Sequence, residues 1–259
     1  MAFTPQYGAY PQASAATNAA VMDAGLRAYM LRVYNWMASG LVLTGIMAYA
    51  IASYPPLHAL FYQDRVTQFG RVVHDQPTGL AMVAMFAPLA FVLVLSLGVN
   101  RLSTTTAQAL FWAFCGVMGA SLTNIFLIYT SESIVRVFFI TAATFGAMSL
   151  WGYTTKSDLS RMGSFLMMGL FGIVIAGLVN IFFQSGMLQF IISMVGVVVF
   201  TGLTAYDTQR IKADYAQFAY AEGLDGANKR SVYDALSLYL NFINLFMLLL
   251  QLLGNRNNN

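Results

Sequence analysis

Long apolar runs, separated by short polar segments, are the dominant pattern along the chain. A helix needs roughly 20 apolar residues to cross a hydrocarbon core about 30 Å thick. The runs are continuously apolar instead of alternating with polar residues, which favours helices over the strands of a β-barrel. The pattern predicts seven transmembrane helices, at residues 33–54, 79–99, 107–129, 134–153, 163–183, 187–206 and 235–253.

The composition supports a membrane protein and excludes several other classes. Hydrophobic residues make up 58% of the 259 residues and charged residues only 9%, against about 25% charged in a typical soluble domain. So few charges cannot cover a soluble fold of this size or supply the basic face of a nucleic-acid-binding protein. The single cysteine, Cys115, lies in an apolar run, so no disulfide framework is possible and a small buried side chain is predicted. We therefore predict an all-α integral membrane protein.

The segments outside the predicted helices show no sign of a soluble domain. Residues 1–26 are rich in Ala, Pro, Gln and Tyr and lack the positive and apolar regions of a signal peptide, which predicts a disordered N-terminal tail. Residues 27–256 form the predicted membrane domain, and residues 257–259 form a C-terminal tail. The two longest predicted loops are residues 55–78 and 207–234.

The distribution of Lys and Arg predicts the orientation of the helices, because cytoplasmic loops carry an excess of positive charge. Nine positive residues fall on one side of the predicted helices and three on the other, with Arg136 inside the fourth helix. The side with nine is predicted to be cytoplasmic, which places the N-terminus inside and the C-terminus outside. The nine are Arg27, Arg32, Arg101, Lys156, Arg161, Arg210, Lys212, Lys229 and Arg230.

Asp207 is an acidic residue that directly follows the sixth apolar run. Ionisable side chains at membrane depth are energetically costly and are functional candidates by default. Thr204 precedes Asp207 by three residues and lies on the same helical face. Arg101, at the same predicted level of the membrane, is a plausible counter-charge. The alternative is structural, in that Asp207 pairs with Arg210 at a helix end and only marks the interface.

The seventh predicted helix carries a narrow polar stripe. Its members are spaced by three, four, three and seven residues, which places them on one face, while the other faces carry Leu, Phe, Ile and Met. A polar stripe in a membrane requires protein partners or water, so this helix should be enclosed by others or line a wet cavity. Hydrogen bonding between helices is the alternative role. The stripe consists of Asp234, Ser237, Asn241, Asn244 and Gln251.

Two stretches carry a distinctive motif: residues 202–209 read GLTAYDTQ, and residues 235–246 read ALSLYLNFINLF. With supporting matches at residues 27–34 and 152–159, the chain resembles the bacterial branch of the Bax inhibitor-1, or transmembrane Bax inhibitor motif, family over roughly residues 25–256. The resemblance implies seven transmembrane helices, with the last helix central and enclosed by the other six. It also implies a location in the bacterial inner membrane and a pH-sensitive calcium leak controlled by two aspartates that share protons.

One position departs from the family motif. The first family aspartate matches Asp207, but the second falls where this chain has Asn241. An amide keeps a carbonyl oxygen but adds no negative charge and does not titrate. Because Ca²⁺ prefers roughly six to eight oxygen ligands and usually several carboxylates, Asp207 is predicted to bind Ca²⁺ weakly, with coupled proton sensing lost or shifted. The predicted pore and gating residues are Asp207, Asn241, Asn244, Ser237, Thr204 and Arg101.

Other functions are also compatible with these residues. The chain could be a non-conducting regulator of a membrane protease or of a stress or cell-death pathway, or a proton-coupled transporter with Asp207 as proton carrier. An enzyme is not expected, because no Gly-x-Gly-Asp motif follows Asp207 and both histidines, His58 and His74, fall in a predicted outer loop. No cofactor is expected beyond transient Ca²⁺. The expected partners are the lipid bilayer, calcium ions or protons and a membrane protein, with no nucleic acid.

Overall fold

The structure is a computed structural model that describes residues 13–66, 72–98, 101–218 and 223–257. Within these residues, seven helical stretches are long and apolar enough to cross a membrane, which confirms the predicted all-α fold with seven transmembrane helices. The elements in chain order are α1 (Ala13–Ser53), α2 (Pro55–Phe61), β1 (Tyr62–Val66), β2 (Val72–Pro77), α3 (Gly79–Gly98), α4 (Thr104–Leu122), α5 (Asn124–Ile128), α6 (Ser131–Thr154), α7 (Ser160–Phe183), α8 (Gly186–Phe218) and α9 (Gly223–Leu253).

Local sequence explains where several of these helices begin and end. Ser103 precedes α4, and its side-chain oxygen accepts a hydrogen bond from the backbone N–H of Thr106. Thr130 caps α6 in the same way, through the backbone N–H of Ser133. Such N-caps satisfy backbone donors that have no partner within the helix. At the end of α7, Gln184 adopts a left-handed conformation (φ 48°), and the chain turns directly into α8, which packs against α7.

The loop predicted at residues 207–234 is largely helical. α8 continues beyond Asp207 to Phe218, and α9 begins at Gly223, well before its apolar run. The extension of α8 keeps an inward face, since Ile211 is fully buried, so the helix persists where the mean hydropathy falls. The structural alternative placed Asp207 at a helix end, but the residue lies inside α8. The pairing of Asp207 with Arg210 that the same alternative predicted is present.

The first helix also extends beyond its prediction. α1 begins at Ala13, so the part of the predicted disordered tail from Ala13 onward is helical. This stretch contains several alanines, the residue of highest intrinsic helix propensity, and it continues directly into a membrane helix that is already formed. The rest of the predicted tail, residues 1–12, lies outside the described residues.

The predicted loop between the first two membrane helices contains α2 and a β-hairpin. β1 and β2 pair antiparallel, with an irregularity in register between Gln63 and Arg65. The two histidines predicted for this loop both contact aspartates there: His74 Nδ1 lies 2.9 Å from Asp64 and His58 Nε2 lies 3.4 Å from Asp75. These contacts therefore join α2 to β2 and β2 to β1.

α9 is the central helix of the bundle. Of its membrane-spanning part, 61% is buried, against 6% for the span formed by α7. It packs mainly against α1, α4, α6 and α8, whereas α3 packs chiefly on α4 and α7 chiefly on α8. The Tyr239 hydroxyl lies 2.7 Å from Thr44 Oγ1, which donates in turn to the Cys115 carbonyl oxygen at 2.9 Å. The enclosure of the last helix by the other six, which the family resemblance implies, is not confirmed, because four helices supply most of its packing surface.

The chain end is held against the start of α6. The backbone N–H of Asn257 donates to the Ile128 carbonyl oxygen at 2.8 Å, and the N–H of Thr130 donates to the Asn255 carbonyl oxygen at 3.1 Å. These bonds fix the described residues that follow α9 at the same end of the bundle as the β-hairpin. Residues 258 and 259 of the predicted C-terminal tail lie outside the described part of the chain.

Candidate functional site

The Asp207 carboxylate is directed from α8 toward α9, and only 7% of the residue is exposed. Its Oδ1 lies 3.1 Å from Arg210 Nη2. Its Oδ2 accepts hydrogen bonds from Ser237 Oγ at 3.0 Å and from Asn241 Nδ2 at 2.7 Å. The buried carboxylate therefore contacts one cationic and two neutral donors, carried by two helices.

Helical periodicity explains why these four side chains meet. Arg210 follows Asp207 by three residues on α8, and Asn241 follows Ser237 by four on α9, so each pair shares one helical face. Arg210 Nη2 also donates to Ser237 Oγ at 3.3 Å, which closes a ring of polar contacts. The Arg210 side chain is 40% exposed, so the ion pair is accessible from one side.

This polar ring lies at one end of a cavity of about 700 Å³ between α7, α8 and α9. Ser237, Asn241, Asn244 and Gln251 all line the cavity, so these four members of the predicted stripe face one common space. At about 1.5 Å per residue, the distance along α9 from Ser237 to Gln251 is about 21 Å, which is most of the hydrocarbon thickness. The cavity thus offers polar groups over much of the depth of a bilayer.

A second polar cluster closes the other end of the cavity. Gln251 Oε1 accepts hydrogen bonds from Gln189 Nε2 and from Ser193 Oγ, both at 2.8 Å. Asn180 Nδ2 donates to Gln189 Oε1 at 3.2 Å. The predicted stripe included Gln251, but its partners Gln189 and Ser193 on α8 were not predicted. The signal was present, because Gln189 and Ser193 are spaced by four residues within an otherwise apolar run.

Beyond this cluster lies another cavity, of about 900 Å³, between the ends of α3, α4, α8 and α9. The two cavities share Met247 and Gln251 as lining residues. The second cavity also contacts Ser121, Asn124 and Arg256 near the far end of the bundle. Together the cavities follow α9 from Asp207 to the C-terminal residues of the chain, with Gln251 between them.

Two predicted site residues lie elsewhere. Thr204 is fully buried, but its hydroxyl donates to the Phe200 carbonyl oxygen at 2.8 Å, and it does not line the cavity that contains Asp207. Arg101 is exposed in the turn between α3 and α4 and forms no ion pair with Asp207, which is paired with Arg210 instead. The reason is that α3 packs on α4, away from the contact between α8 and α9.

The remaining predicted residues divide between two environments. Asn244 lines the cavity, is exposed, and donates to the Leu240 carbonyl oxygen of its own helix at 2.8 Å. Asp234, at the start of the stripe, does not contact the cavity and accepts a hydrogen bond from the Tyr29 hydroxyl of α1. The stripe therefore lines the cavity from Ser237 onward, whereas Asp234, its first member, hydrogen bonds α9 to α1.

The donor set around Asp207 limits what the site can bind. Within the described residues, no group of three or more His, Cys, Asp or Glu side chains is placed to hold a metal ion. One carboxylate with a hydroxyl and an amide provides far fewer oxygens than a tight Ca²⁺ site requires. These residues do not fit a resident metal ion.

Outside the membrane helices, local hydrogen bonds and burial shift the pKa values of Asp64, Tyr62 and Asp158. A hydrogen bond from His74, together with one from the Asp75 backbone, holds the pKa of Asp64 below its usual 3.8. Burial raises the pKa of Tyr62 above its usual 10.0. In the turn between α6 and α7, hydrogen bonds from Ser160 lower the pKa of Asp158.

Comparisons with known proteins place these features in a family. The family model described as Inhibitor of apoptosis-promoting Bax1 matches residues 26–258. A protein of Rickettsia prowazekii (strain Madrid E) is 47% identical over 235 residues, covering 90% of this chain and 92% of the relative. A protein of Caulobacter vibrioides is also 47% identical over 235 residues, covering 90% of each chain. Inner membrane protein YbhL of Escherichia coli (strain K12) is 42% identical over 233 residues, covering 90% of this chain and 94% of the relative.

Proposed function

The chain belongs to the Inhibitor of apoptosis-promoting Bax1 family, and we propose that it is a pH-sensitive, low-rate calcium or cation leak channel. Asp207 is the carboxylate that attracts the ion and gates its passage. The observation that carries the proposal is a buried carboxylate at one end of a cavity whose polar stripe follows most of the membrane depth. Purely structural helix contacts do not require such a cavity.

In the closed state of this gate, Asp207 is paired with Arg210. Arg210 neutralises the carboxylate, so a cation in the cavity meets little net charge until the guanidinium moves away from Oδ1. The partial exposure of Arg210 allows that movement without unpacking a helix. A cation that takes its place meets one carboxylate and the neutral oxygens of Ser237 and Asn241. Binding is then weak, and weak binding permits release and conduction.

Sensitivity to pH follows from the carboxylate itself. Protonation of Asp207 removes the negative charge that attracts both Arg210 and an entering cation. Because Asn241 contributes no second titrating group, the response involves one carboxyl group and not a coupled pair. This chain is therefore expected to respond to pH less steeply than a relative with an aspartate at the position of Asn241.

The distribution of positive charge gives the proposed orientation. The end of the bundle that includes Asp207 also carries Arg210, Lys212, Lys229 and Arg230, so we place it in the cytoplasm. The β-hairpin and the C-terminus then face the opposite side. By analogy with the relative whose name describes an inner membrane protein, we assign the chain to that membrane, and we assign it no enzymatic activity or cofactor.

Calcium flux in proteoliposomes tests the proposal. The purified full-length chain is reconstituted in vesicles that contain a calcium-sensitive dye, and flux is compared for wild type, Asp207→Asn and Asp158→Asn. Asp158 is an exposed acid outside the cavity and serves as the control. Removing an attraction of ~1–2 kcal/mol should reduce the flux of Asp207→Asn by roughly 5- to 30-fold, whereas Asp158→Asn should match wild type.

Two outcomes would overturn the proposal. Equal flux and equal pH response in Asp207→Asn and wild type would remove this carboxylate from the mechanism. No flux above empty vesicles for correctly folded wild type would exclude the leak. In that case, purification with a stoichiometric membrane-protein partner would favour the regulatory function, and counterflow of a labelled solute would favour a proton-coupled transporter.

A further inference from the structure

A cleft lies between α1 and α6, on the opposite side of α9 from the Asp207 cavity. Its volume is about 880 Å³, and its walls come from α1 and α6 with Phe242 of α9 at its floor. α1 and α6 each pack on α9 but make little contact with one another. The central helix is therefore accessible from the side of the bundle through this cleft.

Two glycines show that the walls of the cleft stand apart. Gly45 on α1 and Gly146 on α6 both line the cleft, and a Cβ atom added at either position would meet no other atom within 4 Å. The neighbouring large side chains Val42, Ile46 and Leu150 are 61%, 59% and 64% exposed. An apolar opening of this kind between membrane helices is not filled by water, so another apolar group must occupy it.

One end of the cleft is polar and positively charged. Arg27 lines that end, is exposed, and forms no hydrogen bond or ion pair with any described residue, including Asp23 one turn earlier. Tyr153 lines the same end, and Lys212 Nζ lies 5.0 Å from its ring centroid while donating to its carbonyl oxygen at 2.8 Å. Arg27 therefore lines the end of an otherwise apolar cleft, and Lys212 contacts Tyr153 at the same end.

The other polar side chains of the cleft already have partners. The Tyr34 hydroxyl is hydrogen bonded to Ser149 Oγ, which lies 2.9 Å from Thr208 Oγ1 of α8. These contacts leave the positively charged end as the part of the cleft that lacks a complementary group. The length from Arg27 to Ile46 along α1 is about 28 Å at about 1.5 Å per residue, which is comparable to the hydrocarbon thickness.

From this arrangement we propose that the cleft is a binding site for an anionic phospholipid of the surrounding bilayer. An acyl chain lies between α1 and α6 against Phe242, and the phosphate group lies against Arg27 near Lys212. Basic groups between membrane helices are suited to anionic headgroups, and an acyl chain matches the apolar walls. The bound lipid separates α1 from α6 and completes the packing around α9. This site does not depend on the proposed calcium leak.

Native mass spectrometry of the full-length chain tests this site. The protein is released from nanodiscs that contain equal amounts of phosphatidylethanolamine and phosphatidylglycerol, and the retained lipids are identified. We expect wild type to retain one phosphatidylglycerol preferentially. Arg27→Gln, at an exposed residue, should reduce the preference for phosphatidylglycerol by about fivefold, which corresponds to about 1 kcal/mol per basic residue.

A pair of leucine substitutions fills the cleft directly. The double variant Gly45→Leu and Gly146→Leu should retain no lipid, whereas Gly172→Leu on α7, where an added Cβ also meets no atom within 4 Å, should behave as wild type. Unchanged retention in both the filled variant and Arg27→Gln would overturn the proposal. So would a dimer or a bound protein whose cross-links map to the cleft, because either would identify a different occupant.

Discussion

Replacing Arg210 with glutamine removes the positive charge that lies against the proposed ion-attracting carboxylate. Nη2 of Arg210 lies 3.1 Å from Oδ1 of Asp207, and the same nitrogen donates to Ser237. Glutamine keeps a hydrogen-bond donor on a shorter side chain but carries no charge. The carboxylate then faces the cavity as an uncompensated anion, and we expect a higher occupancy by cations and a faster leak.

The size of this effect follows from the distance and the exposure. Two unit charges about 4 Å apart interact by about 4 kcal/mol at an effective dielectric constant of about 20. Because the Arg210 side chain is 40% exposed, solvent screening reduces the attraction, and ~1–2 kcal/mol is a reasonable net value. If a cation gains the attraction to Asp207 that Arg210 provided, the flux at low calcium rises by roughly 5- to 30-fold.

The assay is the proteoliposome calcium flux, measured at calcium concentrations well below saturation. Arg210→Lys retains the charge and should stay close to wild type in flux, although it loses the planar donor geometry. Arg161→Gln removes an exposed charge from the same end of the bundle, outside the cavity, and controls for the surface potential. Equal flux in Arg210→Gln and wild type, or a rise matched by Arg161→Gln, would refute the role of the ion pair as a gate.

Three further substitutions test other parts of the structure. Asn241→Asp places a second carboxyl group beside the first, so flux measured against pH should acquire a steeper acid-side response; an unchanged profile would show that this position does not sense protons. Gly152→Ala would place a Cβ 2.3 Å from a carbonyl oxygen of α8 and should lower stability by ~1–3 kcal/mol in thermal unfolding, whereas Gly172→Ala, in open space, should not. Asp64→Asn removes the partner of His74. Because the folded-state pKa of Asp64 is lowered from 3.8, the variant should be less stable than wild type above about pH 3.8, and this difference should vanish as the pH falls through the folded-state pKa. A difference in stability that persists in acid would contradict this.

The sequence was sufficient to predict the seven membrane helices and the face of α9 that lines a cavity. Both follow from one-dimensional signals, namely the length of apolar runs and the spacing of polar residues. The same signals did not locate the ends of α1 and α8. Residues after Asp207 are too polar for a hydropathy window, yet Ile211 and its neighbours still pack against the bundle, so the helix continues beyond the apolar run.

Contacts between side chains of different helices were harder to predict than the set of residues that share one face of a helix. Arg101 and Arg210 both fall on the predicted cytoplasmic side, and only the packing of α3 on α4 separates Arg101 from Asp207. Thr204 shares a helical face with Asp207 by spacing, but its hydroxyl is used by the Phe200 carbonyl oxygen of its own helix. Spacing along a helix defines neighbours on that helix, whereas tertiary packing decides which hydroxyl, amide or charge meets another.

The amide at position 241 affects the charge balance around Asp207. Two carboxylates within hydrogen-bonding distance require a shared proton or a bound cation, since both cannot remain charged in a poorly hydrated space. Here Asn241 donates its amide hydrogen to Asp207, and the Arg210 guanidinium lies within ion-pair distance of the same carboxylate. In the proposed leak this arrangement is the closed state, and opening depends on moving the Arg210 side chain. Removing the charge of Arg210 should therefore affect the proposed leak more directly than any change in His58 of α2 or His74 of β2.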